Sequence, residues 1–315
     1  MRLIKLSFLI FFSICISCHT KQSEKKTQKP SQYITVLGIA QDAGYPQINC
    51  EKECCALFHQ GLESKKMVSC LGLVDLNDKK KYIFDATPNL TEQTQLLKTN
   101  HLDNGNIIDG LFLTHAHIGH YTGLMYLGFE ALGANKVPIY AMPRMKSFLE
   151  ENGPWSQLVS YKNIQLNLLQ NNSTIILNDN LKVTPFLVPH RDEYSETVGY
   201  IIEGQHKRAL FIPDIDKWET WERNIIEEVK KVDYAFLDAS FFKDGELKRD
   251  MSKIPHPFTS ETTTLFENES LETKSKIYFI HFNHTNPTIL DNHKLKDSIR
   301  SLGFNFAKEG MIVPL

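Results

Sequence analysis

The chain has 315 residues, 42% of them hydrophobic, enough to build one large domain or two ordinary ones. Against 37 acidic residues stand 35 lysines and arginines, for a formal net charge of -2, and no basic block is interleaved with aromatics. That balance argues against a nucleic-acid partner, though a catalytic site that cuts a phosphodiester remains compatible with it.

The first element is a leader. Arg2 and Lys5 precede an apolar run over 6–16 that is too short for a comfortable membrane span. It ends in Cys15-Ile16-Ser17-Cys18, which resembles a bacterial lipoprotein signal with Cys18 as the lipidated first residue of the mature chain. Cys15 stands where such signals usually carry an aliphatic residue; an ordinary cleaved signal and an uncleaved anchor are the alternatives. All three readings export the body of the protein. Residues 1–18 are therefore read as signal, 19–31 as a polar flexible tether, and 32–315 as a single domain.

Within that domain, short β-rich apolar runs recur at 81–84, 111–113, 137–140, 164–169, 174–177, 181–188, 198–202, 209–212, 234–237 and 277–280. Helical patterns fall at 119–132, 145–151, 217–231 and 292–302. The fold class is α/β or α+β with buried sheets.

Many of these runs end in a residue able to bind metal: Asp85, the cluster His115-Ala116-His117-Ile118-Gly119-His120, His190, Asp214, Asp238, and His281 with His284. Imidazoles at i and i+2 of an extended segment share a side, so His115 and His117 converge, and His120 at a helix start can turn back toward them. Several neutral nitrogen donors around one point suit a zinc-like cation. Alone, Asp85 and Asp238 read as capping aspartates; the repetition at strand ends favours a site.

The order Asp85, His115-x-His117-x-x-His120, His190, Asp214, His281 resembles the metallo-β-lactamase superfamily over nearly the whole domain. The segments 38–47, 122–124, 190–199 and 283–287 are similar to its pyrroloquinoline quinone biosynthesis protein B group. The resemblance implies a four-layer αββα sandwich with metals at one edge of the two sheets. It implies that His115, His117 and His190 hold a first cation, that Asp214 bridges, and that His120, Asp214 and His281 hold a second. Asp85 would orient a ligating histidine from behind.

One position departs from the family. The aspartate expected before the third histidine is Gly119. Either the second site is weak and the centre mononuclear, or a nearby carboxylate, Asp42 or Glu193, takes the missing role.

Cys50, Cys54 and Cys55 lie in what reads as a loop after Pro46, with spacing suited to one tetrahedral zinc. Superfamily members with a similar loop use a histidine just past the last active-site histidine, which here is His284. Zinc on Cys50, Cys54, Cys55 and His284 is the expectation; a disulfide, favoured by an exported address, is the alternative. Cys70 reads as a buried apolar residue.

The expected cofactors are one or two zinc ions at the active site and one structural zinc, with manganese or iron as other occupants. A hydroxide held by such a cation attacks a carbonyl or phosphorus centre. The function expected is metal-dependent hydrolysis of an ester-like bond, a phosphodiester, lactone or similar small molecule. Asp214 would steer the proton, and His256, between two prolines, either lines the pocket or is a plain loop histidine. The alternatives are an iron-dependent oxidoreductase related to quinone-cofactor biosynthesis and a non-catalytic metal-binding envelope protein, which Gly119 favours. The expected partners are a small-molecule substrate and the membrane, through a lipid on Cys18; the sequence leaves the oligomeric state open.

Overall fold

The computed structural model describes residues 30–315, so the leader, Cys18 and nearly all of the tether lie outside the described residues. Strands β1 (Gln32–Gly38), β2 (Cys70–Asp75), β3 (Lys80–Phe84), β4 (Gly110–Phe112), β5 (Val137–Ala141) and β6 (Ile164–Leu168) build one sheet. A second sheet takes β7 (Ile175–Asn178), β8 (Leu181–Leu187), β9 (Val198–Glu203), β10 (Arg208–Ile212), β11 (Tyr234–Asp238), β12 (Ile277–Ile280) and β13 (Asn305–Phe306). The chain then returns to the first sheet, where β14 (Ile312–Pro314) pairs antiparallel with β1. Each sheet is mixed: β3 to β6 run parallel, as do β10 to β13, and the other pairs are antiparallel.

Period-two alternation decides the layering. Tyr82 and Phe84 of β3 and Phe112 of β4 face the second sheet, where Phe84 meets Tyr200 and Phe211 at ring-centroid distances of 5.3 and 6.1 Å. Ile83 and Leu111 face the other way and pack with Leu90, Leu97 and Leu124. Ile225 and Val229 from the helix Ile225–Lys230, with Phe266 and Ile299, join the core of the second sheet. The outcome is the αββα sandwich, two sheets face to face between helical layers.

Several elements differ from the sequence patterning. The helix Leu90–Asn100 and strand β2 carry no clear period. They fit each other through Gly72, where a Cβ would stand 2.6 Å from the Leu97 side chain. The pattern at 119–132 gives only the turn Ile118–Tyr121 and the 3-10 helix Thr122–Leu127, because Gly123 lies against the backbone of Thr87, 2.1 Å from where its Cβ would be. The pattern at 217–231 breaks at Asn224, whose side chain accepts from the Ile226 and Glu227 amides and starts a new helix there.

Glu309 closes one end of the first sheet's surroundings, accepting the Met67 amide at 2.6 Å. Burial pushes its carboxyl up to about 7, from about 4.3 in an unfolded chain. A raised carboxyl favours the neutral folded form, so this group costs stability as pH climbs from about 4 through 7. Glu309→Gln is expected to stabilise the protein by about 1–3 kcal/mol at pH 8, the range allowing for its partial exposure, and by little at pH 4.5. Urea midpoints at the two pH values test this; an equal shift at both contradicts it.

Candidate metal centre

The centre forms where β4, β10, β11 and β12 end. After Phe112, the chain runs to a bend at Ala116 and His117, from which the turn Ile118–Tyr121 brings His120 back over His115. The ring centroids of His115 lie 4.4 Å from His117, 4.2 Å from His120 and 5.4 Å from His190. Asp214, two residues past β10, projects into this group. Its Oδ2 is 3.3 Å from both His115 Nε2 and His190 Nε2, and 3.9 Å from both His117 Nδ1 and His120 Nε2. One atom each of His115, His117, His190 and Asp214 lie within 4.8 Å of one another. Asp42, His120 and His281 form an adjoining group of the same tightness, as do Asp214, Asp238, His256 and His281.

The arrangement fits a cation by its unmatched atoms. His115 Nε2, His190 Nε2, Asp214 Oδ1 and Asp42 Oδ1 are buried and make no well-formed hydrogen bond. Such atoms are costly unless something else pairs with them. The opposite ring nitrogens are all engaged. Asp85 Oδ2 takes His120 Nδ1 at 2.7 Å, Ser240 Oγ lies 3.0 Å from His281 Nδ1, Asp216 Oδ1 lies 3.0 Å from His190 Nδ1, and Glu193 Oε2 lies 3.1 Å from His117 Nε2. These contacts fix each ring with one nitrogen left facing inward. Asp85, itself at φ +71°, also accepts the Thr114 amide and hydroxyl, tying β3 to the histidine segment.

Electrostatics point the same way. Burial and the nearby His120 hold His115 well below the ordinary histidine range, so it stays neutral. Burial opposes charge on His120 and His190, yet the surrounding carboxylates outweigh it, Asp85 and Asp42 raising His120 to about 10, Asp214 and Asp216 raising His190 to about 9. Asp214 stays ionised against its burial because His190 and His256 face it. Protons collect where a cation would compete for the same atoms.

Sequence reasoning missed Asp216 and Ser240 as parts of this centre. Asp238 was read as one more strand-end residue able to bind metal, without a role of its own. It is fully buried, accepts the Ser240 amide and hydroxyl, and lies 2.8 Å from His256 Nδ1. His256 is correspondingly buried, 3.1 Å from Asp214 Oδ1 as well, and is not a plain loop histidine.

The cysteines are placed differently from the expectation. Cys54 and Cys55 begin the helix Glu53–His59 and are not in a loop. Neighbours on a helix point about 100° apart, yet the thiols of Cys54 and Cys55 both interact with that of Cys50 and with each other. Cys50, Cys54 and His284 form a group within 4.8 Å; Cys55, fully buried beside Cys50 and Cys54, adjoins it, its thiol pushed up to about 12 by burial. No disulfide joins cysteines among the described residues; the Cys50 and Cys54 sulfurs are 3.6 Å apart. His284 Nδ1 is buried without a partner. His284→Ala is expected to remove one equivalent of zinc and lower Tm by several degrees, scaled to about 2–4 °C per kcal/mol at this size. Unchanged zinc content by elemental analysis would count against a metal there.

This fold and this His/Asp cluster define a class. The chain belongs to the metallo-β-lactamase superfamily: residues 80–288 match the family model described as "Beta-lactamase superfamily domain". More particularly, it is similar to coenzyme PQQ synthesis protein B of Gluconobacter oxydans, 25% identical over 315 residues, spanning 88% of this chain and 97% of that one. Zinc-bound PqqB from Methylobacterium extorquens superposes with TM-score 0.73 at 22% identity, over 90% of this chain and 100% of that one. A diphosphatase from the PhnP family follows at TM-score 0.62 and 21% identity, over 90% and 98%.

Proposed function

We propose that this chain is a metal-dependent hydrolase of an ester-like bond in a small anionic molecule, with phosphodiesters as the leading class and lactones next. The observation that carries the reading is Asp214 Oδ2, surrounded by four inward-facing imidazole nitrogens. His115, His117, His190 and Asp214 would hold one cation, and His120, His281 and Asp214 would contribute to a second. A bound divalent cation supplies Lewis acidity and a water made acidic enough to attack near neutral pH.

The chain's own groups do the rest. A cavity of about 570 Å³ opens beside the centre, lined by Asp42, His256 and Asn283 and by three cations, Arg191, Arg249 and Lys253. Those cations draw in and orient an anionic substrate. A larger cavity of about 760 Å³ beside Trp218 contains none of the centre's residues. Burial opposes charge on His256, but Asp238 and Asp214 raise it well above the usual histidine range. With Nδ1 held by Asp238, His256 can deliver the Nε2 proton to a leaving oxygen. The structural likeness to a diphosphatase supports this substrate class. In this reading a lipid on Cys18, the first residue left when the leader is removed, makes the protein a cell-envelope enzyme.

The test is turnover of a phosphodiester and lactone panel by zinc- and manganese-loaded protein, before and after chelation. Activity lost on chelation and regained with metal is expected. Arg249→Ala is expected to raise KM for anionic substrates about tenfold with kcat nearly kept. No turnover across the panel overturns the reading. A second reading, an iron-dependent oxidation, is favoured by the coenzyme PQQ synthesis relatives that span about nine-tenths of the chain. Oxygen uptake with iron and none with zinc would select it.

A further inference from the structure

We propose that Asp42, on the loop after β1, supplies the carboxylate of the second cation site, in place of the family's aspartate at the position where this chain has Gly119. This rests on the reading that the histidine cluster holds cations. The family's carboxylate would come from the histidine segment itself; here it comes from a different part of the first sheet.

The space around Gly119 carries the argument. A Cβ at position 119 would stand 2.5 Å from Asp42 Cα and 2.6 Å from Asp42 Oδ1. Asp42 therefore fills the volume into which any side chain at 119 would project, and the glycine is what lets it approach. Its Oδ1 is buried, makes no hydrogen bond, and lies 3.6 Å from His120 Nε2. His120 Nε2 is in turn 3.3 Å from His281 Nε2, and the three residues each offer an atom within 4.8 Å of the others. Two imidazoles and a carboxylate converge there, and the carboxylate oxygen is left without a well-formed hydrogen bond.

The loop is held for this task. Asp42 sits at φ +23°, an uncommon conformation for a residue with a Cβ. The Gln41 amide donates to the Phe282 carbonyl at 2.8 Å, the Phe282 amide donates to Ile39 at 2.8 Å, and Asn283 Nδ2 donates to Gln41 Oε1 at 2.6 Å. These bonds lock Asp42 to the segment that carries His281. The other candidate carboxylate, Glu193, is half exposed and engages His117 on Nε2, the nitrogen turned away from Asp214.

The experiment measures cobalt and zinc stoichiometry of the full chain by elemental analysis, isothermal titration and cobalt ligand-field absorption. Wild type is expected to bind two cations at the histidine cluster beyond any at the cysteines. Asp42→Asn keeps shape and tolerates the positive φ, and is expected to weaken the second cation at least about 100-fold, more than the usual loss on removing a group behind a ligand, while the first remains. Gly119→Ala is expected to act the same way by displacing Asp42. Glu193→Gln is expected to keep both equivalents. The proposal is overturned if Asp42→Asn retains both at unchanged affinity, or if Glu193→Gln is the variant that loses one. Wild type with no cation at the cluster would instead sink the reading beneath it, and this proposal with it.

Discussion

Asp214→Asn is expected to cut kcat/KM on any substrate by at least about 10³-fold, some 4 kcal/mol of transition-state stabilisation. The amide keeps the shape but loses the charge that four imidazole nitrogens approach within 3.9 Å. It offers no bridging anion, and His190 and His256 lose one of the carboxylates that face them. Metal content should fall in parallel, and His115→Ala should match it in both respects. Steady-state kinetics with elemental analysis decide the matter. Retention of more than a tenth of wild-type turnover, with the cation lost, would mean that catalysis runs elsewhere.

The second large effect is on stability. Phe112→Ala is expected to cost about 3–5 kcal/mol, a large share of the 5–15 kcal/mol by which domains are ordinarily stable. Phe112 is fully buried between the sheets, stacked on Tyr140 at 4.3 Å and Phe84 at 5.1 Å, with Tyr200 edge-on at 5.8 Å. No neighbour can refill that space without breaking its own stacking. Urea unfolding followed by tryptophan fluorescence measures the loss. Phe129→Ala, on the exposed surface, should change stability by less than about 0.5 kcal/mol. Comparable losses from the two would show that the stacked rings do not anchor the core.

The histidine cluster and its strand-end partners were legible because each sits at the end of an apolar run, where the chain must change direction and expose polar groups. Those runs also gave most of the strands. The αββα layering came from the resemblance rather than from periodicity, since buried parallel strands and short helices give similar apolar runs. What stayed hidden depends on contacts between distant segments. Nothing local marks Asp216 as the partner of His190, or Ser240 as that of His281. The cysteine motif was visible, but its register was not. The onset of a helix at Glu53, which no local pattern marks, is what sets Cys54 and Cys55 beside Cys50 and brings Cys54 within reach of His284. Gly119 stood out as a missing aspartate; its meaning lies 77 positions earlier in the chain, where Asp42 occupies the vacated volume.

His281 and His284 are three residues apart on one short stretch after β12, and the backbone between them is clipped to Gln41. The cysteine-bearing group and the histidine cluster thus hang from one short stretch of backbone, so that the fold sets the spacing between the two candidate metal groups through a single segment.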